Sequence, residues 1–164
     1  MKKAIFILGV VGTLLACNQT KKEESLENPV IVKKADEPSL KERADLLKEE
    51  GYQVFTYQEG DTTYLMQQYY MVFLKSGENR SQDSTETAKL QQQHLAHLER
   101  MAIEGYASLI GPFGDDGDIR GIAVYNTKTQ KEADSLANLD PMVKAGRLKI
   151  EVHPWWTEKG GKLN

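Results

Sequence analysis

Residues 63–74, TYLMQQYYMVFL, carry apolar and aromatic side chains on both phases of a two-residue alternation. Aromatic and β-branched enrichment predicts a strand, and apolar residues on both phases predict a central one, or one covered on both faces. Gln67 and Gln68 interrupt the pattern, and packing alone gives no reason for them. Downstream, SGENRSQD reads as a loop, and a long helix is expected over residues 84–105 with Asp83 or Ser84 as its N-cap. Leu109 and Ile110 read as a short strand, GPFGDDGD as a loop, and residues 119–126 as a further strand. Thr129 and Glu132 have capping-box spacing for a helix through Leu139. Residues 147–153 alternate as a last strand, with Leu148, Ile150 and Val152 facing one way and Lys149 and Glu151 the other.

Strand, long helix, two strands, helix, strand is the order of an α+β, ferredoxin-like domain, with helices on one side of an antiparallel sheet. The other sheet face then needs a cover, which a second copy in a two-fold dimer would supply. Upstream, Ser39 and Glu42 fit a capping box for a helix ending before Gly51, and YQVFTY (52–57) reads as a strand. Residues 39–62 thus form a helix–strand extension before the domain at 63–156, and residues 157–164 form a C-terminal tail.

The N-terminus reads as an address. Lys2 and Lys3 precede a thirteen-residue run, Ala4 to Ala16, too short to span a bilayer comfortably and typical of an export signal. Leu14, Leu15, Ala16 and Cys17 resemble the bacterial lipobox, which implies cleavage after residue 16, lipidation of Cys17 and an exported, membrane-anchored lipoprotein at the periplasmic or cell-surface side. The competing reading of Cys17 is a chance cysteine in an uncleaved apolar helix. As the only cysteine it forms no intrachain disulfide. Residues 17–38, polar and broken by Pro29 and Pro38, read as a disordered tether. Removing residues 1–16 leaves 19 basic against 24 acidic residues, moving the net charge from −3 to −5 and excluding the basic footprint of a nucleic-acid binder.

Two of the three histidines, His94 and His97, fall on the long helix. With Leu90 at zero and about 100° per residue, Leu98, Ala102, Leu95 and Met101 mark an apolar stripe with His94 inside it and His97 at its edge. His94 is therefore expected to point at the sheet, either as a hydrogen-bonded core imidazole or as a general base. His97 is expected to be a partly exposed flank residue, with a place in the pocket lining as the alternative. The candidate acid is Asp140, whose following proline makes it a good N-cap; one carboxylate oxygen would remain to orient a histidine. Spacing does not show that the two meet.

HLAHLERMAIEG and LIGPFGDDGDIRGIAVYNTKTQKEADSLANLDPMVKAGRLKIEVHPWW together resemble the YciI-like (YCII-related) family of dimeric α+β-barrel proteins. The likeness rests on the histidine of the long helix, the Gly-Pro after the second strand, the helix entered through Glu132 and Ala133, and the segment Asp-Pro-x-Val-x-Ala-Gly. It implies a homodimer with sheets face to face and a His–Asp pair in a cleft, at positions matching His94 and Asp140. Relatives of the wider fold include lactone isomerases, dehydrochlorinases, monooxygenases and haem enzymes, and a fold transfers none of these reactions by itself. The export signal and the extension depart from the family pattern.

Other residues carry weaker signals. Asp115, Asp116 and Asp118 lack the length and terminal glutamate of a calcium loop and read as solvated turn acids. Three histidines without convergent carboxylates are too few for a zinc or iron site. Pro112 and Phe113 are expected to shape a cleft wall, Arg120 to hold an anion or sit at a sheet edge, and Tyr70 to line the cleft or pack in the core. Trp155 and Trp156, placed just beyond the last strand, point to a dimer interface or the cleft rim. The functional expectation is a small cofactor-independent enzyme, of isomerase or lyase type, on an aromatic or lactone-like substrate; the alternative is a non-catalytic ligand-binding or structural lipoprotein.

Overall fold

The computed structural model describes residues 37–163. The lipobox, Cys17 and most of the tether lie outside them. The chain runs α1 (Leu40–Glu49), β1 (Val54–Glu59), β2 (Thr62–Ser76), α2 (Ser84–Ile103), β3 (Ala107–Pro112), β4 (Ile119–Tyr125), α3 (Gln130–Ala137), α4 (Pro141–Lys144) and β5 (Leu148–Glu158). No helix among the described residues is long and apolar enough to cross a membrane.

All five strands form one antiparallel sheet organised by β2. β5 runs along one edge of β2 from Met66↔Glu158 to Ser76↔Leu148. On its other edge, β1 pairs with residues 62–67 and β4 with residues 70–75, end to end, and β3 lies outside β4. From β2 onward this is the ferredoxin-like order expected from the sequence.

The two apolar phases of β2 have a specific cause. Leu65 packs with Ala44 and Val54, so α1 covers one face at the start of the strand. Tyr70, Val72 and Leu74 face the other way, where Tyr70 and Val72 join Met101, Tyr125, Ala133 and Ala137 in the main core. Within the domain, α2 and α3 share one face, and the extension adds α1 on the opposite one. Gln67 is fully buried between the start of β1 and the end of β4, and its amide nitrogen donates to Asn126 Oδ1 at 2.6 Å.

Local chemistry fixes the helix ends. Ser39 and Glu42 close a reciprocal capping box on α1, and Asp83 accepts from Glu86 N at the start of α2. Thr129 accepts from Glu132 N, while the Glu132 carboxylate accepts one residue earlier than a strict box requires, from Lys128 N. Such caps contribute about 1 kcal/mol each. Gly105, at φ 77°, ends α2 in a left-handed turn that a side chain would strain. β5 continues five residues past the expected end at His153, so Trp155 and Trp156 lie inside the last strand rather than beyond it. Trp155 pairs with Tyr69, and Trp156 meets Phe55 of the extension at 5.0 Å between ring centroids.

Candidate active site

His94 and Asp140, 46 residues apart in sequence, meet where α2 crosses α4. His94 Nδ1 lies 2.6 Å from Asp140 Oδ2. Asp140 is the N-cap of α4, and its other oxygen accepts from Met142 N at 2.8 Å. Pro141 occupies the first helical position, where its missing N–H costs nothing. One carboxylate oxygen therefore starts the short helix and the other holds the imidazole.

Burial sharpens this arrangement. Asp140 is 1 % exposed and His94 8 %. An ionised carboxylate only accepts hydrogen bonds, so the hydrogen between the two groups resides on Nδ1, and neutral His94 carries its lone pair on Nε2. That nitrogen makes no hydrogen bond among the described residues, and His94 lines a hollow of about 600 Å³. Leu95, Leu98, Ile110 and Met142 give the hollow apolar walls, and Pro112 and Arg120 line its far side on β3 and β4. Exposed Gln91, Leu95 and Glu99 at the rim open it to solvent.

The structure separates the other sequence candidates. Tyr70 is a core residue, its hydroxyl donating to Gln68 Oε1 at 3.2 Å. Phe113 projects from the loop, 44 % exposed, and does not line the hollow. His97 is 5 % exposed, not a flank residue. Its misplacement came from weighting Leu95 and Ala102 as core, whereas both are exposed and the buried stripe runs through His94, His97 and Met101. His97 Nε2 is buried without a partner among the described residues, and Nδ1 meets Arg100 Nη2 at 3.3 Å. Burial holds the His97 pKa below its ordinary value; Asp140 opposes that shift, while Arg100, His94 and Lys144 add to it. Tyr125 sits in the same buried field, its phenol pushed up to about 12 by burial first and the charge of Asp140 second.

His153 projects from the sheet face opposite His94, against Phe73, and pairs with Glu151 at 2.7 Å. Among the described residues, no group of three or more histidine, cysteine or acidic side chains is placed to hold a metal ion. Among the lining residues that the sequence did not single out are two arginines, Arg80 and Arg147. They sit in the turns at one end of the β2–β5 pair, where Asn79 N donates to Gly146 O. Antiparallel pairing of those two strands was the signal that would have brought them together.

The profile of the YCII-related domain matches residues 68–156, the stretch that holds α2, α4 and both members of the pair. The chain belongs to the YCII-related family. Among solved structures the chain matches a 5-chloro-2-hydroxyhydroquinone dehydrochlorinase from Burkholderia phenoliruptrix AC1100 in complex with 2,5-dihydroxybenzoquinone, 23 % identical, covering 53 % of this chain and 92 % of that one at a TM-score of 0.40. No curated protein matches the sequence. The YCII-related match leaves out residues 37–67, so α1 and β1 are additions at the N-terminal side of the family domain.

Proposed function

We propose that this YCII-related protein is a small-molecule enzyme in which His94 moves a proton within the hollow and Asp140 fixes its tautomer. The observation that carries the reading is the 2.6 Å contact from Nδ1 to a buried carboxylate, on a histidine whose Nε2 is unpaired and which lines an open hollow. In this scheme Nε2 accepts a proton from a carbon next to a carbonyl, and the electron pair moves onto the carbonyl oxygen. Return of the proton to another carbon completes an isomerisation, and expulsion of a leaving group by the same pair completes an elimination. The Asp140 carboxylate stabilises the imidazolium formed in between. The apolar walls suit an aromatic or lactone-like substrate, and the scheme calls on no cofactor.

Two further expectations stay with this proposal. The sheet face carrying Met71, Phe73 and Ile122 is half-buried and, among the described residues, has no helix over it at that end, which favours a two-fold dimer. Lipid on Cys17 would anchor the exported protein to a membrane, on the periplasmic or cell-surface side.

The test is proton exchange. The full chain is incubated in deuterated buffer with small ketones and lactones bearing acidic C–H groups, and loss of the α-proton signal is followed by NMR. Exchange that His94→Gln abolishes supports the proposal. A panel on which the wild type never exceeds the variant overturns it in favour of a non-catalytic binding domain.

A further inference from the structure

We infer that the hollow takes an anionic substrate, a carboxylate carried on an apolar body. This deepens the proposal that the hollow is an active site, and it rests on that reading for the word substrate.

Three arginines contribute to the lining from separate segments: Arg80 after β2, Arg120 on β4 and Arg147 before β5. None is ion-paired among the described residues, where the salt bridges involve Lys41, Lys75, His94 and His153. Their hydrogen bonds go to neutral acceptors. Arg120 Nη1 donates to the carbonyls of Gly117 at 3.1 Å and Asp115 at 3.5 Å, and Arg147 Nη1 donates to Gln82 Oε1 at 3.3 Å. Arg80 makes no side-chain hydrogen bond among the described residues. These bonds orient Arg120 and Arg147 without neutralising them.

Glu99 is the only acid among the lining residues, since Asp140 is screened behind His94. The chain as a whole carries a net charge of −3. A cationic hollow on an acidic protein concentrates positive potential where apolar walls lower the dielectric, which draws anions selectively. Guanidinium offers a planar fork of donors that matches a carboxylate, and such charge-assisted pairs are about twice as strong as neutral ones. The apolar body would rest on Leu95, Leu98 and Ile110. An anion held this way places its neighbouring carbon toward Nε2, and the same guanidiniums would stabilise the oxyanion formed on proton removal.

The test uses benzoate and its neutral counterpart benzyl alcohol, titrated into the 15N-labelled full chain. Benzoate is expected to shift the amides of Leu95, Leu98 and Gly121, and benzyl alcohol to bind about tenfold more weakly, the worth of one charge-assisted pair. Arg80→Gln with Arg147→Gln is expected to weaken benzoate by about tenfold or more, and Arg147→Lys, which keeps the charge, to lose less. Equal affinity for the two probes, shifts outside the hollow, or unchanged benzoate binding in the double variant would overturn the inference. Benzoate binding needs no proton transfer. A His94→Gln protein that binds benzoate, beside a wild type inert in proton exchange, therefore sinks the enzyme and leaves the anion site; active exchange with probe-indifferent binding does the reverse.

Discussion

Replacing Asp140 separates the two tasks its carboxylate performs. Asp140→Ala removes the cap on Met142 N, which costs about 1 kcal/mol. It also strands a buried imidazole donor on His94, for about 1–3 kcal/mol more. The loss is expected to total roughly 2–4 kcal/mol, lowering the melting temperature by roughly 10 °C in a domain of this size. Asp140→Asn behaves differently. Its amide oxygen still accepts from Met142 N, but its NH₂ donates toward His94 Nδ1, so the ring must carry its hydrogen on Nε2. The expected cost is then about 1 kcal/mol, while the lone pair facing the hollow is lost. Urea denaturation reads the stabilities, and the imidazole 15N spectrum reads the tautomer. An Asp140→Ala protein as stable as wild type within about 0.5 kcal/mol, or an Asp140→Asn protein whose His94 keeps its hydrogen on Nδ1, would refute the reasoning.

His97 gives a pH prediction. Its folded pKa lies below the ordinary 6.5, so as pH falls through that value the unfolded chain takes up the proton first and stability drops. His97→Gln is expected to flatten the decline in urea midpoint below pH 6.5, and an unchanged decline would assign it to other groups. Gly77→Ala would place a Cβ 2.1 Å from the carbonyl oxygen of Gly146 and 2.7 Å from the carbonyl carbon of Arg147. It is expected to cost about 2 kcal/mol or more and to shift the Arg147 amide; a neutral effect in thermal melts would contradict the close approach.

Most of the fold was legible because its elements carry local punctuation. Ser39, Asp83, Thr129 and Asp140 each announce a helix start through a side chain that reaches one turn ahead. The two apolar phases of β2 were legible as a strand covered on both faces, but not the source of the second cover, which is α1 on the face that α2 and α3 leave. The site was half legible. Asp140 as a cap followed from the proline after it, but its contact with His94 spans 46 residues and depends on how α2 lies across α4. Family resemblance supplied that pairing and periodicity did not. His97 was misjudged because Leu95 looks like core by composition, yet it is 56 % exposed on the rim of the hollow.

The exposure of Leu95 and the burial of His97 have one explanation. A helix packed only for stability would turn Leu90, Leu98, Met101 and Leu95 toward the sheet and leave imidazoles at the margin, because leucine repays desolvation that histidine does not. α2 instead turns His94 and His97 inward and leaves Leu95 at the mouth of the hollow. Asp140 recovers part of that cost, since its two oxygens satisfy Met142 N and His94 Nδ1 together. Stability accounts for this pairing once the histidine is inside, and equally for the cap. It does not account for an Nε2 and three arginines that, among the described residues, stay unpaired and unneutralised beside apolar walls, because filling the space with leucine would stabilise the domain more. That excess of polar groups over what packing needs is the physical argument for a ligand.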